Sequence, residues 1–230
     1  MLDAVFESVI RDRITELQGE IPEPVTLMAV TKKVPVERIR IAYNCGLRHL
    51  GESRIQEALP KQAALADASG LVWHFIGPLQ SNKAQKAIAY FDWIHSVDSL
   101  KLAQRLDRLA GENQRRPNLC LQVKLLPDPN KSGWEVDDLE QTLPDLYQLQ
   151  KVTMRGLMVI PPFGLTSSQL QDCFARAAGL FKKIQNQSRQ QWPQFDQLSM
   201  GMSGDYREAI AAGSTIVRLG RSLFGERETP

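Results

Sequence analysis

The chain has 230 residues, 43% of them hydrophobic, and its 28 Lys and Arg side chains nearly balance 26 Asp and Glu. A net charge of +2 without a basic cluster gives no electrostatic case for nucleic-acid binding, which depends on clustered Lys and Arg. No run approaches the ~18 apolar residues that a membrane span needs, so no membrane insertion is predicted. The length fits either two small domains or one larger α/β domain.

The beginning of the chain predicts an amphipathic helix and not a secretory signal. Charged residues interrupt every apolar stretch there, whereas the apolar residues recur at helical spacing. They are Leu2, Phe6, Val9, Ile10, Ile14 and Leu17. The three cysteines, Cys45, Cys120 and Cys173, are odd in number and lack metal-type spacing, so we expect reduced thiols in a cytoplasmic protein and no metal site.

After this helix, eight strand-like runs alternate with helical patterns along the whole chain. The runs are VTLMAVTK, RHLGES, VWHFIG, WIHSVD, LCLQVKLL, TMRGLMVI, QLSMG and TIVRLG. The intervening helices are expected at 36–45, 55–68, 82–89, 99–110, 136–147, 167–187, 204–212 and, briefly, after 220. Several strands are continuously apolar, which is typical of parallel strands covered on both faces.

Eight such units predict an α/β fold, a (β/α)8 TIM barrel, with residues 1–230 forming a single domain that carries an extra N-terminal helix. An open doubly wound sheet is the alternative. It would more often carry a glycine-rich turn after the first strand, and VTKKVP contains no glycine.

Active sites of such barrels lie at the carboxyl ends of the strands, so polar residues there are informative. The alternation Met28, Val30, Lys32 places the Lys32 amine in the mouth if the first two residues fill the interior, and Lys33 then faces outward. The plainer interpretation is that both lysines begin a solvated loop.

The last strand carries Arg218 inside an apolar run, where a buried charge is costly unless a partner satisfies it. It is either half of a structural ion pair or a ligand contact. Gly220 and Arg221 then open a short helix whose free amides suit a phosphate. In the preceding turn Ser199 and Ser203 offer hydroxyls, although Ser203 fits an ordinary helix cap equally well.

Polar residues also occur at the second and third strands. Ser53 follows the second strand, and His74 lies within the third. A histidine in that position is most often a hydrogen-bonded member of the core, with ligand binding as the less common alternative.

The motifs AVTKKVP, GESRIQEALPKQ, WHFIGPLQSNK, KSGW, RGLMVIPP and LSMGMSGDYREAIAAGSTIVRLGRSLFGER together resemble the pyridoxal-phosphate homeostasis protein family. Its members are single-domain barrels related to the N-terminal domain of bacterial alanine racemase. The resemblance runs from about residue 25 to residue 227. It implies that pyridoxal 5'-phosphate is bound as an imine of the first-strand lysine, here Lys32.

The resemblance also implies a role for further residues. Arg218 would face the pyridine nitrogen, and Ser203, Gly220 and Arg221 would hold the phosphate. Ile76, Met158 and Met200 match positions expected to line the ring or its phosphate arm, and Ser53 and His74 are also expected among the cofactor-binding residues. Ser53 stands where the family commonly has asparagine, so a shorter hydroxyl replaces the amide expected near the phenolic oxygen. Arg221 stands where the family commonly has threonine or serine, so a hydroxyl is lost and a charge is added.

The function implied is a carrier or regulator of the cofactor in vitamin B6 and amino-acid or keto-acid homeostasis, with no catalytic residue and little or no catalysis. An arginine opposite the pyridine nitrogen favours the neutral ring, which supports carbanion chemistry poorly. The alternative is a racemase-like pyridoxal-phosphate enzyme, and a barrel for another phosphorylated metabolite is a third possibility. We expect a monomer, with pyridoxal-phosphate-dependent apoenzymes as candidate recipients.

Overall fold

The computed structural model describes residues 2–225, and side chains are described from Glu7 onward. The first helix, α1, covers Leu2–Glu20. Its buried apolar side chains are Ile10, Ile14 and Leu17. Val9, expected on the same face, is exposed, because α1 packs mainly against α2 and α9 and only a narrow stripe of it is covered. The side chains of Leu2 and Phe6 lie outside the described residues.

Strands and helices then alternate as expected. The strands are β1 Thr26–Val30, β2 His49–Glu52, β3 Val72–Phe75, β4 Trp93–Val97, β5 Asn118–Val123, β6 Thr153–Val159, β7 Gln197–Met202 and β8 Ile216–Leu219. The helices that follow α1 are α2 Val36–Asn44, α3 Ile55–Ala64, α4 Ala84–Tyr90, α5 Leu100–Glu112, α6 Val136–Leu146, α7 Ser167–Gln187, α8 Tyr206–Ala211 and α9 Arg221–Phe224.

The strands form one closed parallel barrel in chain order, because β8 also pairs with β1. In the pairing of β8 with β1, Met28 lies opposite Arg218, so two inward-facing residues are neighbours where the barrel closes. The predicted (β/α)8 barrel is confirmed, and the open doubly wound sheet is excluded. Every strand therefore delivers its carboxyl end to the same rim.

Alternation along each strand divides its side chains between two cores. Outward residues such as Ala29, Leu50 and Phe75 pack beneath the helices, which contribute one apolar stripe each. In α5 that stripe is Leu102, Ala103, Leu106, Leu109 and Ala110. Each leucine buried in this layer contributes about 2 kcal/mol of hydrophobic free energy.

The barrel interior holds a second, smaller apolar cluster. Its buried members are Met28, Trp93, Cys120, Met158 and Ile216. The interior is thus filled with side chains and is not a channel, as is usual for eight strands. A ligand cavity on the barrel axis therefore has to lie at an end of this layer and not within it.

Several helix ends differ from those predicted from the sequence. Helix α3 ends at Ala64, where the sequence pattern continued to Ala68, because residues 65–70 turn and Asp67 is bound by Arg40 at 2.8 Å. Among residues 2–225, no helix combines the length and apolar character needed to cross a membrane.

Candidate functional site

A cavity of about 610 Å³ opens at the carboxyl rim of the barrel. Seven of the eight strands, or the segments that follow them, contribute to its wall, and β4 is the exception among the described residues. Of the predicted site residues, seven line it, namely Lys32, Ser53, Ile76, Ser203, Arg218, Gly220 and Arg221. Its remaining lining includes Val30, Lys131, the loop 160–165, Leu170 and residues 202, 204 and 205.

The first strand directs Lys32 and Lys33 to different environments. Thr31 faces outward and donates its hydroxyl to Glu52 at 2.7 Å, so Lys32 turns inward and lines the cavity. Lys33 is exposed and has a left-handed φ of 59°, and its backbone N–H donates to Glu57. The chain therefore bends sharply directly after Lys32.

Arg218 lies at the cavity floor with only 4% of its surface exposed. It donates to the Ser199 carbonyl at 2.6 Å, to the Ser199 hydroxyl at 2.8 Å and to the Val159 carbonyl at 2.9 Å. Within residues 2–225 it takes part in no ion pair, so its hydrogen-bond partners are all uncharged oxygens. Burial lowers the pKa of Arg218 to about 10, which still leaves it positive at neutral pH.

The three histidines of the chain form a hydrogen-bonded line through the interior that ends at this arginine. His49 Nδ1 lies 2.9 Å from His74 Nε2, and His74 Nδ1 lies 2.9 Å from His95 Nε2. His95 Nδ1 is 3.1 Å from the Ser199 hydroxyl, which Arg218 also contacts. We call His49, His74 and His95 the histidine line.

The hydrogen bonds of the histidine line are consistent with a neutral state. Because Arg218 donates to the Ser199 hydroxyl, the hydroxyl proton is left to donate to His95, and each imidazole then donates through Nε2. Burial lowers the pKa of His95 to about 3, with the charge of Arg218 acting in the same direction. Burial also lowers the pKa of His74 well below its ordinary value.

The end of β8 and the turn after β7 contribute backbone donors and a hydroxyl to the site. The amides of Gly220 and Ser222 both point at the Ser203 hydroxyl, at 3.3 Å each. Two long hydrogen bonds converging on one neutral oxygen mark a place where an anionic oxygen would be a stronger acceptor. Gly220 carries no side chain to fill this corner, and a Cβ there would reach Val30 at 3.5 Å.

Three predicted site residues do not line the cavity. His74 is fully buried within the histidine line. Met158 belongs to the apolar cluster below the cavity. Met200 packs in the layer between barrel and helices, because its neighbour Ser199 takes the inward position on β7. Ser199, expected beside a phosphate, contacts Arg218 instead.

Other residues of the site were missed from the sequence. Lys131 lines the cavity, donates to the Pro161 carbonyl at 2.6 Å and pairs with Asp128 at 3.0 Å. Its KSGW motif contributes to the family resemblance, but no role was predicted for it. Phe163 stands fully exposed on the rim, and no role was predicted for it, although the adjacent Pro161, Pro162 and Gly164 indicate a loop.

Comparison with known proteins first defines the class. Residues 7–228 match the family described as alanine racemase, N-terminal domain. The structure superposes on an alanine racemase of Clostridium difficile with a TM-score of 0.76 at 13% identity, over 96% of this chain and 58% of that one. At that identity the likeness concerns the fold alone. The protein is thus a barrel of the alanine racemase N-terminal type, with a lysine and a buried arginine in its mouth.

More similar relatives define the family. The chain is 49% identical to the pyridoxal phosphate homeostasis protein of Synechocystis, over 93% of this chain and 96% of that protein. It is 36% identical to the protein of that name in Escherichia coli, over 95% and 94%. Solved structures of PipY from Synechococcus elongatus match at 54% identity without pyridoxal phosphate and at 53% with it bound, with TM-scores of 0.91 and 0.90. They cover 94% of this chain and 100% of PipY. The chain belongs to the pyridoxal phosphate homeostasis protein family.

Proposed function

We propose that this protein holds pyridoxal 5'-phosphate at the mouth of its barrel, as an imine of Lys32, and so buffers the cofactor. The relatives named for its homeostasis, and PipY with the cofactor bound, support this proposal. The observation that carries it is the composition of one cavity. Lys32, Arg218 and Gly220 all line this space, and the Ser222 amide converges with that of Gly220 on the hydroxyl of Ser203, which also lines it.

The residues of the cavity fit three parts of pyridoxal 5'-phosphate, namely its phosphate, its pyridine nitrogen and the face of its ring. The amides near Ser203 suit the phosphate oxygens, because they are donors without an anionic acceptor. Arg218 suits the pyridine nitrogen, since a guanidinium can only donate and thus favours an unprotonated acceptor. Ile76 contributes apolar surface beside the ring position.

When bound, the cofactor supplies an aldehyde that an amine can capture with loss of water, and a ring whose power to stabilise a carbanion depends on protonation of its nitrogen. Arg218 opposes that protonation. A carrier needs only the capture, whereas a racemase needs in addition a proton-transfer group on each face of the substrate.

The tyrosines give no support to the racemase-like alternative. None of the four lines the cavity in the described part of the chain. Tyr206, which follows β7, directs its hydroxyl away to Glu20 on α1. The loaded protein should therefore show no sustained exchange of the Cα proton when incubated with each common amino acid in deuterium oxide, and turnover at enzyme-like rates would overturn the carrier assignment.

The cofactor, its linkage and the lysine are tested together by borohydride reduction and peptide mass mapping. A visible absorption band should appear when the vitamer is added, and the label should map to Lys32. Lys33→Ala is the matched control and should keep both, because that side chain is outside the cavity. A preparation that stays colourless with the cofactor in excess would refute the proposal.

The physiological role follows from a reversible linkage. A protein that releases bound cofactor can supply apoenzymes and thereby influence amino-acid and keto-acid metabolism. When an excess of a pyridoxal-phosphate-dependent apoenzyme is added and the two proteins are then separated, this protein should have lost its visible band and the recipient should have gained activity. A band that persists while the recipient stays inactive would argue against a supply role.

A further inference from the structure

A buried ion cluster lies behind Lys32, on the side of β1 that faces the helices. Lys61, on α3, is 7% exposed, and its ammonium donates to three oxygens. These are the Thr31 carbonyl at 2.7 Å, Glu52 Oε1 at 2.7 Å and Glu57 Oε1 at 3.0 Å. The three ammonium protons are thereby all used, which fixes its position.

The cluster holds both peptide groups that flank Lys32. The carbonyl of Thr31 belongs to the peptide unit before Lys32 and accepts from Lys61. The N–H of Lys33 belongs to the unit after it and donates to Glu57. Lys61 and Glu57 lie one helical turn apart on α3 and form an ion pair with each other. One helix therefore holds the backbone on both sides of Lys32 by hydrogen bonds.

The left-handed backbone of Lys33 explains why these hydrogen bonds to the backbone are needed. A φ of 59° is uncommon for a residue with a side chain and persists where surrounding contacts enforce it. The hydrogen bond to Glu57 is such a contact. Without it the loop after β1 would relax toward ordinary backbone conformations and change the direction in which Lys32 leaves the strand.

The charges are consistent with a cluster that is held together as a unit. Glu52 is fully buried, and its Oε2 has no hydrogen-bond partner among the described residues. Burial raises the pKa of Glu52, and the hydrogen bonds from Lys61 and Thr31 oppose that shift. A buried carboxylate with one unpaired oxygen is costly, so its retention beside β1 calls for a role beyond packing.

We propose that Lys61 and Glu57 are positioning residues that aim the Lys32 amine at the aldehyde of the cofactor. This inference rests on the proposed function. It concerns the capture step and leaves recognition of the phosphate and ring to Arg218 and to the amides of Gly220 and Ser222. Neither Lys61 nor Glu57 lines the cavity, so neither contacts the cofactor.

The test separates capture from recognition. For Glu57→Ala, stopped-flow absorbance with pyridoxal 5'-phosphate gives the rate constant for appearance of the visible band. Calorimetric titration with pyridoxine 5'-phosphate, which has an alcohol where the aldehyde would be, gives recognition alone. We expect the rate constant to fall at least about tenfold while the affinity for the alcohol changes less than about twofold.

Three further variants make the result specific. Glu57→Gln keeps an oxygen that can accept from the Lys33 N–H and should restore most of the rate. Gln56→Ala, at the neighbouring exposed position of α3, is the matched control and should behave like the wild type. Lys61→Met should slow capture at least as strongly as Glu57→Ala if the variant folds, as judged by circular dichroism.

Each outcome has a definite meaning. A wild-type protein that develops no band refutes the proposed function itself. A wild-type band with an unchanged rate in Glu57→Ala overturns the positioning role alone. Equal losses of capture rate and of affinity for the alcohol also overturn it, because they indicate a general distortion of the cavity.

Discussion

At the scale of single residues, Arg218 has the properties of a group kept for binding. It is a buried cation whose hydrogen bonds end on a hydroxyl and two carbonyls, and no carboxylate pairs with it within residues 2–225. Burying such a charge costs free energy that a carboxylate would offset. A carboxylate paired with Arg218 would also occupy the N–H donors that a ligand needs. The lack of such a pair lowers the stability of the fold but keeps donors available for ligand recognition.

Replacing this arginine should therefore separate affinity from stability. In Arg218→Met the affinity for pyridoxal 5'-phosphate should fall about 10- to 100-fold, since a hydrogen bond from a charged donor is worth about 1.5–3 kcal/mol. The free energy of unfolding should change by no more than about 1 kcal/mol, because the charge no longer has to be desolvated and this gain offsets the missing hydrogen bonds to the two carbonyls. Cofactor titration and urea denaturation measure the two quantities. Arg218→Lys is the control and should recover part of the affinity, and a large loss of stability with unchanged affinity would contradict the prediction.

At the scale of elements, strand alternation decided what the sequence could predict. On β1 the rule placed Lys32 inward and Lys33 outward, and the structure has them so. On β7 the same rule, applied from Ser199, would have sent Met200 outward, but Met200 was assigned from the family resemblance instead. Element order and barrel closure were predictable because each strand and helix has its own local pattern.

Contacts between strands were not predictable in the same way. His49, His74 and His95 are each a polar residue within a separate strand, and only the stagger of β2, β3 and β4 brings their rings into line. The cluster around Lys61 likewise joins α3 to β1 and β2 through tertiary packing. Spacing along one element carries no information about either arrangement.

The contact between β6 and β7 gives a sharp prediction at this scale. A Cβ on Gly156 would lie 1.6 Å from the Gln197 carbonyl oxygen, a backbone atom that cannot move without breaking the strand pair. Gly156→Ala should lower the free energy of unfolding by at least about 3 kcal/mol, measured by urea denaturation.

The matched control for this variant is Gly179→Ala. Gly179 lies within α7, and a Cβ there meets nothing within 4 Å. That substitution should raise the free energy of unfolding by up to about 1 kcal/mol, because alanine favours the helix. Similar stabilities for the two variants would mean that β6 and β7 are not in the close backbone contact described.

At the scale of the whole molecule, the histidine line joins the amino-terminal part of the barrel to the cavity floor. It supports Arg218 through Ser199 with groups that stay neutral at ordinary pH. A protonated imidazole beside Arg218 would add a second buried positive charge. The barrel is thus expected to tolerate only the neutral line, which links its stability to pH.

The sign of that linkage follows from the depressed pKa values of His74 and His95, the latter about 3. Unfolded histidines bind protons below about pH 6.5, whereas these two stay neutral in the folded protein, so the unfolded state gains protons first. Their contribution is complete above pH 6.5 and is lost as pH falls from there toward 3. Each of the two histidines lowers the free energy of unfolding by up to about 1.4 kcal/mol per pH unit. Together they should lower it by about 2–3 kcal/mol between pH 7 and 5.5.

Urea denaturation of the cofactor-free protein at several pH values measures this loss, and His95→Gln isolates one member of the line. The variant should be less stable at pH 7, because its contacts to His74 and Ser199 are changed. Its decline between pH 7 and 5.5 should nevertheless be smaller than that of the wild type by about 1–1.5 kcal/mol, since one proton-linked group is gone. Glu52, whose pKa is raised by burial, acts in the opposite sense in both proteins, and the difference between their slopes therefore reports His95. Equal slopes would mean that His95 is already charged in the folded barrel, and the neutral line that supports Arg218 would have to be abandoned.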